Sequence, residues 1–65
     1  MENIKVISKY GLLEFFKNNK PMYRLSKNKN SDCYSILDYN KGIIKFFVAG
    51  WDKNKLKKIY TKILS

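Results

Sequence analysis

Apolar residues recur every three positions through the first third of the chain. The positions that share this spacing are Ile4, Ile7, Tyr10, Leu13 and Phe16. The neighbours that widen this apolar stripe are Val6, Leu12 and Phe15. This period is typical of an amphipathic helix. Pro21 disfavours helical backbone at the residue before it, so the pattern predicts a helix over residues 4–19. A second interpretation makes residues 3–7 a short strand and begins the helix at Ser8, whose hydroxyl can cap it.

After Pro21 the pattern changes to near-alternation and to runs of strand-forming residues. Three strands are predicted over Met22–Asn28, Cys33–Tyr39 and Ile43–Ala49. Residues 28–32 are typical of a loop. Gly42 can supply the positive φ of a short hairpin turn between the second and third of these strands.

The last segment has the most regular pattern. Asp52 is a good N-cap, and Leu56, Ile59, Tyr60, Ile63 and Leu64 follow at helical spacing. A helix is therefore predicted over residues 53–64. The predicted fold class is α+β, in the order αβββα: a three-stranded antiparallel sheet with two helices packed on one face. Its core is expected to bury Leu13, Phe16, Leu56, Ile59 and Ile63 together.

Composition indicates one basic domain spanning residues 1–65. Fourteen Lys and Arg residues oppose five Asp and Glu residues, for a formal net charge of +9. Such a charge repels itself unless an anionic partner neutralises it. Two explanations stay open: selection for an anionic partner, or the codon bias of an AT-rich genome, which favours Lys over Arg. The partners expected are nucleic acid or an acidic protein surface, and neither a membrane nor a small-molecule ligand is expected.

Cysteine usage indicates an intracellular, reducing compartment. Cys33 is the only cysteine, whereas small secreted scaffolds carry an even set. No segment approaches the ~20 apolar residues that span a bilayer. Residues 1–3 lack the charged-then-apolar order of a signal peptide. The expected location is therefore the cytoplasm.

The residues that would support catalysis are missing. There is no His, the residue used most often for acid–base chemistry at neutral pH. Cys33 has no His to activate its thiol, and the Gly residues are isolated. The carboxylates are scattered at Glu2, Glu14, Asp32, Asp38 and Asp52. We therefore expect no enzymatic activity, no cofactor and no metal site.

The last predicted helix carries a concentration of lysines: Lys53, Lys55, Lys57, Lys58 and Lys62. Positive charge in the first turn opposes the helix dipole, but backbone N–H groups and lysines together can bind a phosphate. These five residues are the candidate nucleic-acid-binding site. The alternative interpretation is an ordinary solvated lysine face.

Aromatic residues on the predicted sheet also have two interpretations. Tyr23, Tyr34 and Phe46 could contact bases from an open sheet face, or they could pack in the core. Phe46 and Phe47 are adjacent, so in a regular strand they point to opposite faces. One of the two rings is then expected to be exposed.

The predicted order of elements resembles that of the double-stranded-RNA-binding domain. The local match is the segment 52–57, Asp-Lys-Asn-Lys-Leu-Lys, which resembles the basic start of that family's second helix. The resemblance implies that Lys53 and Lys57 bridge phosphates across the RNA major groove, with Lys55 or Lys58 as neighbours.

Two functions are therefore predicted. The first is a non-enzymatic module that binds nucleic-acid backbone, RNA in preference, alone or within a ribonucleoprotein. The second is a small phage or mobile-element inhibitor, similar to anti-CRISPR proteins, that docks on a nucleic-acid-handling protein. A lysine stripe that converges on the N-terminus of the last helix favours the first function, and a hydrophobic patch ringed by lysines favours the second.

Overall fold

The chain folds as five antiparallel strands in sequence order followed by one helix. The computed structural model describes residues 3–65; Met1 and Glu2, which enter the signal-peptide and carboxylate arguments above, lie outside the described residues. Each strand pairs with the next, so the sheet is a simple meander. The elements are β1 (Ile4–Lys9), β2 (Leu12–Lys17), β3 (Lys20–Lys27), β4 (Tyr34–Asp38), β5 (Ile43–Val48) and α1 (Lys53–Leu64).

The helix predicted over residues 4–19 is wrong, because this segment forms the β1–β2 hairpin. Ile4 pairs with Lys17 and Lys9 pairs with Leu12 across a two-residue turn. Gly11 occupies this turn at φ +69, a conformation that glycine adopts without steric cost. The strand in the second interpretation is confirmed by β1, but the helix from Ser8 is wrong as well.

The misleading helical period arises because both faces of this hairpin carry apolar residues. Val6 and Phe15 are cross-strand partners on one face, and Ile7 lies opposite Glu14 on the other. Apolar residues on two faces remove the strict alternation expected of a half-buried strand. The apolar positions of the two strands then coincide with a spacing of three residues.

The residues at the predicted end of the first helix, just before Pro21, form a second hairpin turn. Asn18 and Asn19 have φ of +53 and +67, and positive φ at both central residues is the requirement of a type I′ turn. The Asn18 backbone N–H donates to the Asn3 carbonyl at 2.8 Å. Pro21 lies in β3 opposite Phe16, at a register irregularity of the β2–β3 pair, which is where a sheet tolerates proline.

The α+β class is confirmed, but the αβββα order and its three-stranded sheet with two helices are wrong. The same observation removes the resemblance to the double-stranded-RNA-binding domain, which has a helix where this chain has β1 and β2. The strands predicted after Pro21 and the helix over residues 53–64 are confirmed, with small shifts at the strand ends.

The register divides the sheet into two faces. On the covered face, which α1 covers in part, Ser8, Leu13, Leu25, Ile36 and Lys45 form one row across the five strands. The core on this face consists of Leu13, Phe15, Leu25, Tyr34, Leu56 and Leu64. On the open face, the next row is Ile7, Glu14, Arg24, Leu37 and Ile44. No described element packs on it.

The predicted core is therefore only partly right. Leu13 and Leu56 are buried together. Phe16 is half-buried on the other side of the sheet from Phe15. Ile59 and Ile63 are 41% and 57% exposed, because a single helix cannot cover five strands and its flank facing β5 has no partner.

Aromatic contacts hold α1 to the covered face. The Tyr60 ring lies 5.4 Å from Phe15 and 5.0 Å from Tyr23. Before the helix, the Trp51 ring packs on Tyr34 with centroids 5.6 Å apart, and the Trp51 backbone N–H donates to the Asp32 backbone carbonyl at 2.8 Å. Within residues 3–65, no helix is long and apolar enough to cross a bilayer.

Candidate nucleic-acid interface

Asp52 is the N-cap of α1. The Asp52 carboxylate accepts a hydrogen bond from the Lys55 backbone N–H at 3.2 Å, as predicted for an N-cap. The Leu56 N–H donates to the Asp52 carbonyl at 2.8 Å. No acidic residue follows in the first turn. One carboxylate therefore offsets the whole basic helix.

All five candidate lysines are exposed. Leu56, Tyr60 and Leu64 recur every four residues and direct one side of α1 to the sheet. Lys55, Lys58 and Lys62 lie on the opposite, solvent-facing side, where successive lysines rise by roughly 4.5–6 Å along the axis. Lys53 and Lys57, four residues apart, lie on one flank. The structure thus places the five predicted residues on one element.

The lysines of α1 repel one another. Lys53 and Lys57 are neighbours at i,i+4, as are Lys58 and Lys62, and each like-charge pair destabilises a helix by about 0.2–0.5 kcal/mol. Among residues 3–65, no carboxylate forms an ion pair with a lysine of α1. By contrast, Arg24 pairs with Glu14 at 3.6 Å on the open face. Within residues 3–65, no carboxylate neutralises the lysines of α1 through an ion pair, so their charge is available to an external anion.

A shallow depression runs along the flank of α1. It is lined by Asn54, Lys57, Lys58, Thr61, Lys62 and Ser65, all from the helix and its C-cap. Because no second element forms a wall, the depression is a surface strip and not a cavity. Its open shape does not enclose a small ligand.

The three aromatic candidates are not brought together with these lysines. Tyr34 is only 6% exposed and packs against Trp51. Tyr23 is half-buried beneath the ring of Tyr60. Phe46 is 66% exposed, but it lies on β5 and not beside the helix. The two tyrosines therefore belong to the packing of α1 on the sheet.

Phe46 and Phe47 do not point to opposite faces as predicted. Between the pairs Ile36–Lys45 and Tyr34–Val48, β4 has one residue and β5 has two, which defines a β-bulge. Phe47 has φ +51, unusual for a bulky side chain. The two rings are 6.1 Å apart and 66% and 63% exposed, so they form one aromatic patch.

Sequence reasoning missed the exposure of Ile43 and Ile44 and a groove beside them. We call this concave surface the β5 groove; its volume is about 390 Å³, and its lining is Tyr23, Ile36, Asp38, Lys41, Ile43, Lys45, Tyr60 and Ile63. One available signal was that the last strand of a meander is an edge strand. A continuous apolar run at an edge leaves much of its apolar surface unburied.

Residues 3–65 contain no group of three His, Cys, Asp or Glu side chains that could hold a metal ion. The Cys33 thiol is half-buried and not in a disulfide. Comparison of the chain with protein-family models, curated proteins and solved structures finds no match. We therefore infer what this chain binds from its own geometry and charge.

Proposed function

We propose that this protein binds the phosphate backbone of nucleic acid through the lysines of α1. The observation that carries the proposal is that five exposed lysines share one helix in which Asp52, at the cap, is the only carboxylate. Phosphates neutralised by lysines release condensed counterions, and this release drives binding.

The energetic cost of this arrangement supports a binding role. Lysines in a first turn oppose the helix dipole by about 0.3–1 kcal/mol each at low ionic strength, and the like-charge pairs add to that cost. A chain of 65 residues has little stability to spare. A bound polyanion would offset these repulsions with attractions between its phosphates and the lysines.

The proposal concerns the backbone and not a base sequence. Contacts to phosphates position a protein but carry no sequence information directly, and α1 presents no aromatic ring beside its solvent-facing lysines. The expected preference for RNA came from the αβββα layout, which the chain does not have. The proposed ligand is therefore nucleic acid in general, and the experiment compares its forms.

The test measures affinity against salt concentration for four labelled probes of equal length: duplex RNA, duplex DNA and a single strand of each. The variant K55Q/K58Q/K62Q removes three solvent-facing charges from α1. The matched control K5Q/K9Q/K29Q removes three exposed lysines elsewhere. For duplex DNA, the α1 variant should flatten the slope of log affinity against log salt by about 0.9 per lost phosphate contact, whereas the control should change it much less.

Equal losses in the two variants would overturn the proposal, because binding would then follow net charge and not α1. Tighter binding to a non-nucleic polyanion such as heparin at matched charge would also overturn it. A difference between the RNA and DNA probes that survives in the α1 variant would place the discrimination outside the helix.

A further inference from the structure

The two edges of the sheet differ in a way that indicates a second binding surface. At the β1 edge, Lys5, Ser8 and Lys9 are exposed polar residues, which is how natural proteins discourage pairing with another strand. At the β5 edge, Ile43, Ile44, Phe46 and Phe47 are all exposed. β5 also has an exposed lysine, Lys45, and a bulge, but unlike β1 it exposes four large apolar side chains.

The backbone of β5 is available on one side. β5 pairs with β4 and with no other described strand. In an antiparallel strand, alternate residues direct N–H and C=O groups away from the existing partner. The bulge at Phe46 and Phe47 interrupts this edge, so regular pairing is available over Ile43–Lys45.

Both faces beside β5 have places for alternate side chains of an added strand. On the covered face, the β5 groove lies between Ile43 and Ile63, which is 57% exposed. On the open face, Ile44 lies beside Leu37 and precedes the patch of Phe46 and Phe47. Strand addition uses this combination, with backbone hydrogen bonds for affinity and side-chain pockets for specificity.

The charge of the β5 groove and of the whole chain indicates which kind of strand would bind at this edge. Lys41 and Lys45 line the β5 groove, and the Asp38 carboxylate already accepts hydrogen bonds from the N–H groups of Asn40 and Lys41 at 3.0 and 3.2 Å. A second copy of this chain, paired antiparallel at β5, would bring Lys45 towards its equivalent and oppose two molecules of charge +9. Like charges across strands destabilise pairing, so an acidic partner is favoured.

We propose that β5 binds an extended segment of an acidic protein, which adds to the sheet as a sixth strand. Acidic side chains of the segment face Lys45 and Lys41, and apolar side chains contact Ile44 and the Phe46–Phe47 patch. This surface is separate from the lysines of α1.

The probe is the blocked octapeptide Ac-(Val-Glu)4-NH2. One control replaces Glu with Lys, and another replaces the two central Val residues with Pro, which keeps the charge but removes backbone donors. Binding is followed by amide chemical shifts and hydrogen exchange along the protein. The acidic peptide should shift and protect amides of Ile43–Lys45, and both control peptides should bind at least tenfold more weakly.

Variants separate this surface from α1. I44S/F46S should weaken the acidic peptide at least tenfold while far-UV circular dichroism stays unchanged, and K45E should reverse the preference between the Glu and Lys peptides. K55Q/K58Q/K62Q should leave the shifts at β5 in place, so failure here is distinct from failure of nucleic-acid binding. Shifts confined to α1 would overturn the proposal, as would concentration-dependent self-association through β5 in sedimentation of the chain alone.

Discussion

The ring of Tyr60 on α1 meets the ring of Tyr23 on β3 edge to face, with centroids 5.0 Å apart and planes at 61°. The same Tyr60 ring contacts Phe15 of β2 at 5.4 Å. Aromatic pairs in such geometry contribute about 0.5–1.5 kcal/mol beyond the area they bury. Tyr60 therefore joins the basic helix to two central strands, and the position of the lysines depends on it.

Replacing Tyr60 with Ala should destabilise the fold by about 3 kcal/mol, since a large ring is lost from the contact between helix and sheet. Tyr60→Phe is the matched control, because it keeps the ring and loses only the hydroxyl. Urea denaturation monitored by circular dichroism measures both. Equal stabilities for the Ala and Phe variants would mean that the two ring contacts do not hold α1.

The stability of the protein should fall above pH 10 partly because of Tyr60. Burial raises the pKa of the Tyr60 hydroxyl above its ordinary value of 10.0, and Tyr34, Tyr23 and Asp38 raise this pKa further. The folded state thus favours the neutral phenol. The resulting stabilisation is complete below pH 10.0 and is lost as pH rises through the raised pKa.

The measurement is the free energy of unfolding of the wild type and of Tyr60→Phe between pH 8 and pH 11. The difference between the two proteins removes the titration of the lysines and other tyrosines, which both share. The wild type should lose more stability than Tyr60→Phe across this range. Parallel curves would contradict the prediction.

The turn between β2 and β3 should accept glycine at its second position. Asn19 has φ +67, and Asn-Gly is the preferred pair for a type I′ turn. Asn19→Gly should stabilise the protein by about 0.5 kcal/mol, and Asn19→Ala should destabilise it by about 1 kcal/mol. Thermal unfolding of the two variants checks the sign. Destabilisation by Gly as large as that by Ala would contradict a type I′ turn.

The bulge on β5 should respond differently at its two phenylalanines. Phe47 has φ +51, so Phe47→Gly relieves a strained conformation worth about 1–3 kcal/mol while it removes a mostly exposed ring. Its stability should equal or exceed that of the wild type. Phe46→Gly relieves no such strain and should lower stability by about 0.5–1 kcal/mol. Chemical denaturation of both variants compares them, and the reverse order would contradict this account of the bulge.

Removing lysines from the start of α1 should stabilise the isolated protein. Lys53→Gln removes a charge that opposes the helix dipole, and with Lys57→Gln it removes the repulsion between the two lysines, for a gain of about 0.5–1.5 kcal/mol at low salt. The gain should shrink at high salt, because the repulsion is screened. Lost stability at low salt would mean that these lysines serve the fold and not a ligand.

Local sequence pattern predicted the exposure of lysines on α1 but not the burial of the aromatic residues. Exposure of Lys55, Lys58 and Lys62 followed directly from their place on the polar side of a regular helix. The burial of Tyr34 did not, because it depends on Trp51, seventeen positions later, folding back over β4. The β5 groove could not be predicted from local pattern either, since its walls come from two separate elements, β5 and α1.

The amino-acid sequence by itself determined α1, its cap at Asp52 and the strands near the middle of the chain, because helix periodicity, capping and turn chemistry act between residues close in sequence. Only the tertiary structure decided the first twenty residues. There the apolar residues serve two faces of a sheet, and each strand is stable only when its neighbour supplies backbone hydrogen bonds. The exposure of the apolar residues of β5 was decided in the same way, because it depends on how far α1 covers the sheet and not on any property of the strand itself.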